Sequence, residues 1–344
     1  MTHKLGLLIV GMALLVASCG STAGAGDETT TSTTGATTTS TTEAPTTTTT
    51  EATTTTTEAT GVTFTGADGV ESVITDTSRI VSLNGDLTEI LYELGFGDNV
   101  VAVDVTTTYP PAANDLKDNG GLVGFGQQLA PEPVLAFEPT LVLGDTEIAP
   151  PETIEQIRSA GVPVVILEYQ TTLDGVATKI NQVAQILGVP DKGAELADRV
   201  NAEIDDALAL AAQATEHPRV AFVYVRGPQL VFLFGGGMPT SAMIEGAGAI
   251  DVAKEAGVFG AAPLTPEALV AAAPDIIVVP KSGFDALGGA DAFLQIPGIA
   301  ETPAGENKAF LAYDEAYFFN FGPRVGQALM EFVKDLHPEL DGGS

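Results

Sequence analysis

The chain has no tryptophan, one cysteine and three histidines, and it carries 14 lysines and arginines against 45 aspartates and glutamates. With Cys19 as the single cysteine no intrachain disulfide can form, so the folded part has to be held by its apolar core. The histidines are His3, His217 and His337. They leave no zinc-spaced His/Cys group, no Ser-His-Asp set and none of the several cleft histidines that a transition-metal receptor uses. The net charge of −31 repels phosphate backbones and argues against nucleic acid as a partner. The acids are scattered, which favours solubility over a paired catalytic site. Long apolar runs are scarce too. Leu5 to Val16 is too short to cross a bilayer as a stable helix, and behind Lys4 it fits the apolar region of a secretory signal peptide.

Leu15-Val16-Ala17-Ser18-Cys19-Gly20 resembles the lipobox of bacterial lipoproteins. The resemblance implies removal of residues 1–18, acylation of Cys19 and attachment to the outer, extracytoplasmic face of the cell membrane. Several acyl chains would hold the protein firmly, since stable anchoring takes more than one. Residues 19–60 are mostly Thr, Ala, Gly and Ser, interspersed with Glu43, Glu51 and Glu58. Without an apolar period they are expected to form a disordered tether.

What the chain does have is a unit stated twice. Leu129-Ala130-Pro131-Glu132 and Leu264-Thr265-Pro266-Glu267 each open a short helix. Each helix ends near a proline and is followed by an apolar strand, 140–143 and 275–279. A fold of two similar halves has a cleft between them, the usual place for a ligand. Arg79 to Leu83, Asn99 to Val103 and Pro163 to Leu167 read as further strands, alternating with helices at 86–94 and 151–160. Such alternation indicates a parallel sheet covered on both faces. Leu196, Val200, Ile204 and Leu208 recur every fourth residue in one long amphipathic helix from Lys192 to about Thr215. The second half repeats the theme, with strands at 219–225 and 230–234 and a last helix from Pro323 to about Leu336. The expected fold is α/β: two small lobes, each with a mostly parallel sheet flanked by helices, joined by one rigid helix. The lobes are expected at 61–190 and 217–344, the connecting helix at 191–216, and the cleft nearly preformed.

Between these strands and helices, Gly235-Gly236-Gly237-Met238-Pro239-Thr240 lacks the spacing of a phosphate cradle. It reads as a loop that turns or approaches a flat ligand, with Thr240 as N-cap of the next helix.

The segment from Arg79-Ile80-Val81-Ser82-Leu83-Asn84-Gly85-Asp86 to Leu94-Gly95, with both Leu-x-Pro-Glu units, resembles the substrate-binding lipoproteins of iron-complex and vitamin B12 ABC importers. Within that class the chain is most similar to the haem-binding branch. Val103 to Pro110 resembles the segment whose tyrosine, here Tyr109, binds haem iron. Tyr224-Val225-Arg226 resembles a Tyr-x-Arg in which the Tyr ligates iron and the Arg hydrogen-bonds to it. Strand alternation allows Tyr224 and Arg226 to share a face, although a half-buried strand tyrosine and a surface arginine would show the same spacing. Gln127 and Gln128 stand roughly where those receptors carry a ligating histidine.

The resemblance further implies that Glu132 and Glu267 dock the loaded protein onto a permease dimer driven by a cytoplasmic ATPase. Each glutamate also gains locally from its helix dipole. Haem is thus the expected ligand of a monomeric, non-enzymatic receptor, with no catalytic cofactor. Apolar walls are expected from Phe125, Phe234 and Met238, and lesser contacts from Asn84, Asp145 and Lys281. The alternatives are a ferric siderophore or cobalamin receptor, or a lipid-anchored sensor or enzyme. The missing tryptophan and scarce arginine argue mildly against anionic siderophores.

Overall fold

Ile80-Val81-Ser82, buried throughout, is one of two central strands in the first of two large sheets that the computed structural model describes beside a two-stranded hairpin. The described residues are 61–340, apart from 125–127, 149 and 228. The strands are β1 (Val62–Thr65), β2 (Glu71–Ile74), β3 (Ile80–Ser82), β4 (Val100–Val103), β5 (Leu141–Asp145) and β6 (Val164–Leu167) in the first lobe. In the second they are β7 (Arg219–Val225), β8 (Val231–Phe234), β9 (Ile250–Asp251), β10 (Ala261–Pro263), β11 (Ile276–Pro280) and β12 (Phe310–Tyr313). The α-helices run from α1 (Gly85–Glu93), α2 (Pro111–Leu116), α3 (Pro131–Leu135) and α4 (Pro151–Ser159) to α5 (Gly175–Ile186) and α6 (Pro190–Ala211). They continue with α7 (Pro239–Gly246), α8 (Val252–Glu255), α9 (Pro266–Ala272), α10 (Lys281–Leu287), α11 (Ala290–Phe293), α12 (Pro303–Asn307), α13 (Glu315–Phe318) and α14 (Val325–Leu336).

The first sheet has the order β4-β3-β5-β6 and is wholly parallel, as its continuous apolar strands require. The second, β10-β8-β7-β11-β12 with β9 beside β7, is mixed. Strands β7, β9, β11 and β12 run parallel, while β8 returns from β7 as a hairpin and pairs antiparallel with both β7 and β10. That hairpin also places the glycine loop, for which a turn and an approach to a flat ligand were both open. Because β8 runs against β7, Gly235–Gly237 follow it at the N-terminal end of the sheet, where Gly235 and Gly236 bond to the 258–260 turn. Thr240 is not the N-cap. Met238 holds that position ahead of Pro239 at N1, and Thr240 is buried in the first turn.

The connecting helix α6 starts and ends a few residues earlier than its periodicity predicts. Its stripe of Leu196, Val200, Ile204, Ala207 and Ala211 is buried between α5 and α14. Each of the larger three contributes roughly 1.5–3 kcal/mol by leaving water. Two glycines allow the close helix crossings. A Cβ on Gly193 would lie 2.3 Å from Ala184 of α5, and one on Gly326 would lie 2.5 Å from Glu203 of α6. One buried cluster therefore runs from Leu87 and Leu91 of the first lobe through α6 to Phe222 and Phe332 of the second. The β1–β2 hairpin, which no sequence pattern announced, lies along β6: Ser72 Oγ donates to the Val164 carbonyl at 3.2 Å, and the Ala67 amide to the Ile166 carbonyl at 2.7 Å.

Candidate functional site

Parallel strands deliver all their C-terminal ends to one edge of a sheet, and ligands of open α/β sheets bind outside that edge. In the first lobe the edge carries Asn84 after β3, the 104–110 loop after β4, Asp145 at the end of β5 and Tyr169 after β6. In the second it carries Arg226 after β7, Lys281 after β11 and the 314–324 segment after β12. The two edges face each other. Thr108 Oγ1 donates to Asp314 Oδ1 at 3.1 Å, and the Arg324 guanidinium lies 3.8 Å from the centroid of the Tyr109 ring.

Tyr109 is exposed, on the first-lobe side of this contact. Its loop is held from behind: Asp104 accepts from Thr106 Oγ1 at 2.8 and 2.9 Å, Thr106 Oγ1 in turn accepts the Gly85 amide at 2.9 Å, and Thr88 and Thr107 hydroxyls meet at 3.2 Å. Tyr224, half-buried on β7, stacks on Phe234 with centroids 5.3 Å apart and planes 7° from parallel. Arg226 is exposed beside the 226–230 turn, where its amide donates to the Leu230 carbonyl. Tyr109 and Tyr224 are thus on opposite lobes and do not touch each other. Val105, Leu122 and Leu230 leave much of their apolar surface exposed at the same two edges.

Of the expected wall residues, Phe234 supports Tyr224, while Met238 follows β8 at the far end of the sheet. Phe125, Gln127 and Cys19 lie outside the described residues, and Gln128 is exposed. Lys281 pairs with Asp285 of its own helix at 2.7 Å. His217, ahead of β7, and His337, after α14, bond the Gly248 and Ala247 carbonyls at 2.7 and 2.9 Å, and the cleft edge bears no histidine among the described residues. Nor do the described residues contain a His/Cys/Asp/Glu group suited to a metal ion.

Beneath the edge lies a polar floor. Lys179, almost fully buried, donates to Asp86 Oδ2 and reaches across to the Asn320 and Phe321 carbonyls of the second lobe at 3.4 and 3.3 Å. In return Arg324 of the second lobe forks onto Glu89 of α1, with Nε–Oε1 at 2.8 Å and Nη2–Oε2 at 3.0 Å. Sequence reasoning missed Arg324 altogether; a lone Gly-Pro-Arg before the last helix gives only a helix-start signal. Asn84 Nδ2 donates to Asp145 Oδ2 at 2.9 Å, leaving Asn84 Oδ1 buried without a partner.

Burial sets the protonation of this floor. It pushes Asp104 up to about 7 against its threonine hydrogen bonds, and Asp145 up to about 7, with the Asp86 charge adding to both. Burial also raises Glu89, opposed by Arg324. Burial alone would lower Arg324, but Glu89 outweighs it and the guanidinium ends higher. Asp104 and Asp145 hold a proton when folded at a pH where an unfolded aspartate, near 3.8, has released it. Their stabilisation is complete below the unfolded value and is lost as pH rises through about 7. Melting temperature should therefore rise between pH 8 and pH 5.5, by roughly 1–2 kcal/mol of stability per group. Asp104→Asn with Asp145→Asn should flatten the profile; an equally steep profile in that variant would contradict the assignment.

A family model described as periplasmic binding protein matches residues 80–317. Among solved structures, the periplasmic haem-binding protein RhuT from Roseiflexus sp. RS-1 is 42% identical, covering 77% of this chain and 100% of its own, with a TM-score of 0.73. The haem-binding protein HmuT is 34% identical, covering 80% of this chain and 90% of its own, with a TM-score of 0.75. HmuT has also been solved with alanine in place of a histidine, of a tyrosine, and of an arginine two positions after that tyrosine. The vitamin B12-binding protein of Vibrio campbellii is 31% identical over 170 residues, covering 46% of this chain and 59% of its own length.

Proposed function

We propose that this chain, which belongs to the periplasmic binding protein family and is a substrate-binding protein of an ABC importer, captures haem in the cleft between its lobes. The observation that carries this reading is a pair of tyrosines, one from each lobe, at facing strand ends amid exposed apolar side chains. Ferric iron is a hard cation and phenolate a hard oxygen donor. A phenol near ~10 is protonated in water, and a bound metal charge brings it down. Tyrosine ligation of haem iron occurs in catalase. Val105, Leu122 and Leu230 suit the face of a macrocycle better than a wholly polar ligand. Tyr224 and Arg226 have the same spacing as the tyrosine and arginine replaced in HmuT, which supports a shared role. Gln128, with Gln127 before it in the sequence, would line the first-lobe side.

A titration decides it. The purified chain should bind hemin with a tyrosinate-type spectrum, and Tyr109→Phe or Tyr224→Phe should abolish that signature according to which tyrosine holds iron. A hemin spectrum left unchanged at micromolar concentration would sink the haem reading. The name of the Vibrio relative favours cobalamin as the second reading, and a parallel cobalamin titration separates the two.

Glu132 and Glu267 complete the proposal. Both are exposed, in the first turns of α3 and α9. Helices that lead into parallel strands run against them, so both glutamates lie toward the cleft edge of their lobes. There they would meet positive charge on the permease dimer, fixing orientation as well as encounter. Anchoring through Cys19 outside the cytoplasm, and action as a monomer, belong to the same proposal.

A further inference from the structure

We infer that Arg79 and Arg219 position the docking glutamates Glu132 and Glu267, an assignment that rests on the docking part of the proposal above. Arg79 directly precedes β3 and Arg219 opens β7. Each forks onto carbonyls at or just past the C-terminal end of the helix that bears the glutamate. Arg79 Nε donates to the Phe137 and Glu138 carbonyls at 2.9 and 3.1 Å, and its Nη2 also reaches the Phe137 carbonyl. Arg219 Nε and Nη2 donate to the Ala272 carbonyl at 3.2 and 2.9 Å. The backbone around each arginine repeats as well. The Arg79 amide donates to Thr140 Oγ1 at 3.1 Å, and the Thr140 amide to the Arg79 carbonyl at 2.8 Å. The Arg219 amide donates to Asp275 Oδ2 at 2.9 Å, and the Asp275 amide to the Arg219 carbonyl at 2.8 Å. Between helix and strand, Glu138 and Ala273 turn the chain with φ of 47° and 45°, each followed by a proline. The unit that opens on Leu-x-Pro-Glu thus closes in both lobes on a left-handed residue and an arginine clamp.

The clamp answers a physical need. Helix α3 has five residues and α9 seven, and helices this short do not hold themselves in water. Their buried residues are few: Val134 in α3, Leu269 and Ala272 in α9. The terminal carbonyls carry the negative end of the helix dipole, which a guanidinium satisfies in both charge and hydrogen bonding. Arg79 has no acidic partner among the described residues, although this chain is rich in acids, so its fork is committed to the helix end. Arg219 adds one ion pair, with Glu255 at 2.7 Å. Both arginines lie at the end of their sheets away from the cleft, while the glutamates project from the other end of the same short helices. A helix tied to its sheet presents its glutamate in one place, so little freedom is lost when a permease cation meets it.

The test measures hemin uptake by cells carrying the full chain, beside hemin affinity of the purified chain; cobalamin takes the place of hemin if the parallel titration assigns it. Arg79→Met should lower the uptake rate about threefold to tenfold and leave hemin affinity within about twofold. The amides of α3 should exchange with solvent about tenfold faster. The loss of uptake should vanish in a Glu132→Gln background, where no glutamate is left to place, and persist in a Glu267→Gln background on the other lobe. Arg219→Met should show the mirror pattern. An arginine that merely stabilises the fold would cost the same in both backgrounds, and equal losses would overturn the inference. If Arg79→Met does not fold, Arg79→Lys, which keeps the charge but not the fork, goes through the same two backgrounds and the same outcomes decide. Full uptake by the arginine variants, when charge reversal of Glu132 and Glu267 does stop uptake, would overturn this inference alone. Full uptake after that charge reversal would remove the docking reading and this inference together.

Discussion

Lys179→Met should be among the most damaging single substitutions in this chain, lowering stability by about 3–5 kcal/mol. Lys179 and Asp86 leave only 3% and 6% of their side chains exposed, so neither charge has water to fall back on. Methionine fills the volume of the lysine stem but strands the Asp86 carboxylate among Asp104, Asp145 and Glu89, where its charge already raises all three. It also releases the Asn320 and Phe321 carbonyls, and with them the loop leading into Arg324. In thermal unfolding the loss corresponds to a drop of about 10 °C. A drop of less than about 2 °C would show that the pair is dispensable. Asp86→Leu added to Lys179→Met should recover most of the loss, because an apolar pair carries no uncompensated charge.

Charge reversal of both Glu132 and Glu267 should all but stop ligand uptake in cells while leaving ligand affinity in solution unchanged. Neither glutamate has a side-chain partner among the described residues, and both stand exposed in their helices, so lysine fits at either place without repacking. What changes is the sign of two points on the surface that would meet the permease. Opposed charges steer encounter and like charges suppress it, so the double variant should fall well beyond about tenfold in transport, with each single variant intermediate. Normal uptake by the double variant would mean that these residues serve only their helix dipoles.

The resemblance stated from Arg79 to Gly95 and the repeated Leu-x-Pro-Glu unit correctly gave the family and the two-lobed fold, for a physical reason. Apolar runs such as Val164–Leu167 and the four-residue stripe of α6 encode burial directly, and burial is what the lobes and their connector are made of. Strand direction was less legible. Nothing in Val231–Phe234 says that it returns beside β7, so the end of the sheet at which the glycine loop follows was not legible. Thr240 was mistaken for a cap because Pro239 looks like a break, whereas proline is at home at N1. In the site, Tyr109 and Tyr224 were legible only through the family likeness. Arg324 and Lys179 were not legible at all, since their partners Glu89 and Asp86 lie 235 and 93 residues away along the chain. Local pattern carries no signal for a contact between residues so far apart in the chain.

The β1–β2 hairpin also fixes where the chain enters the domain. Ser72 is level with Val164 at the start of β6, and Ala67 with Ile166 nearer its end, so β1 climbs toward the cleft edge from the opposite end. Val62 accordingly lies near Gly188, where α5 has finished its descent from that edge. A lipid on Cys19 and a permease contact at Glu132 and Glu267 would then pull on opposite poles of one stiff body. To set its cleft against a membrane that also held Cys19, the domain would have to turn its Val62 pole away from that membrane. The 42 residues from Cys19 to Thr60 could reach at most roughly 140 Å at ~3.3 Å per residue, ample for that turn. The length of the Thr-rich segment, more than its composition, would then decide whether an anchored receptor can turn to face its transporter.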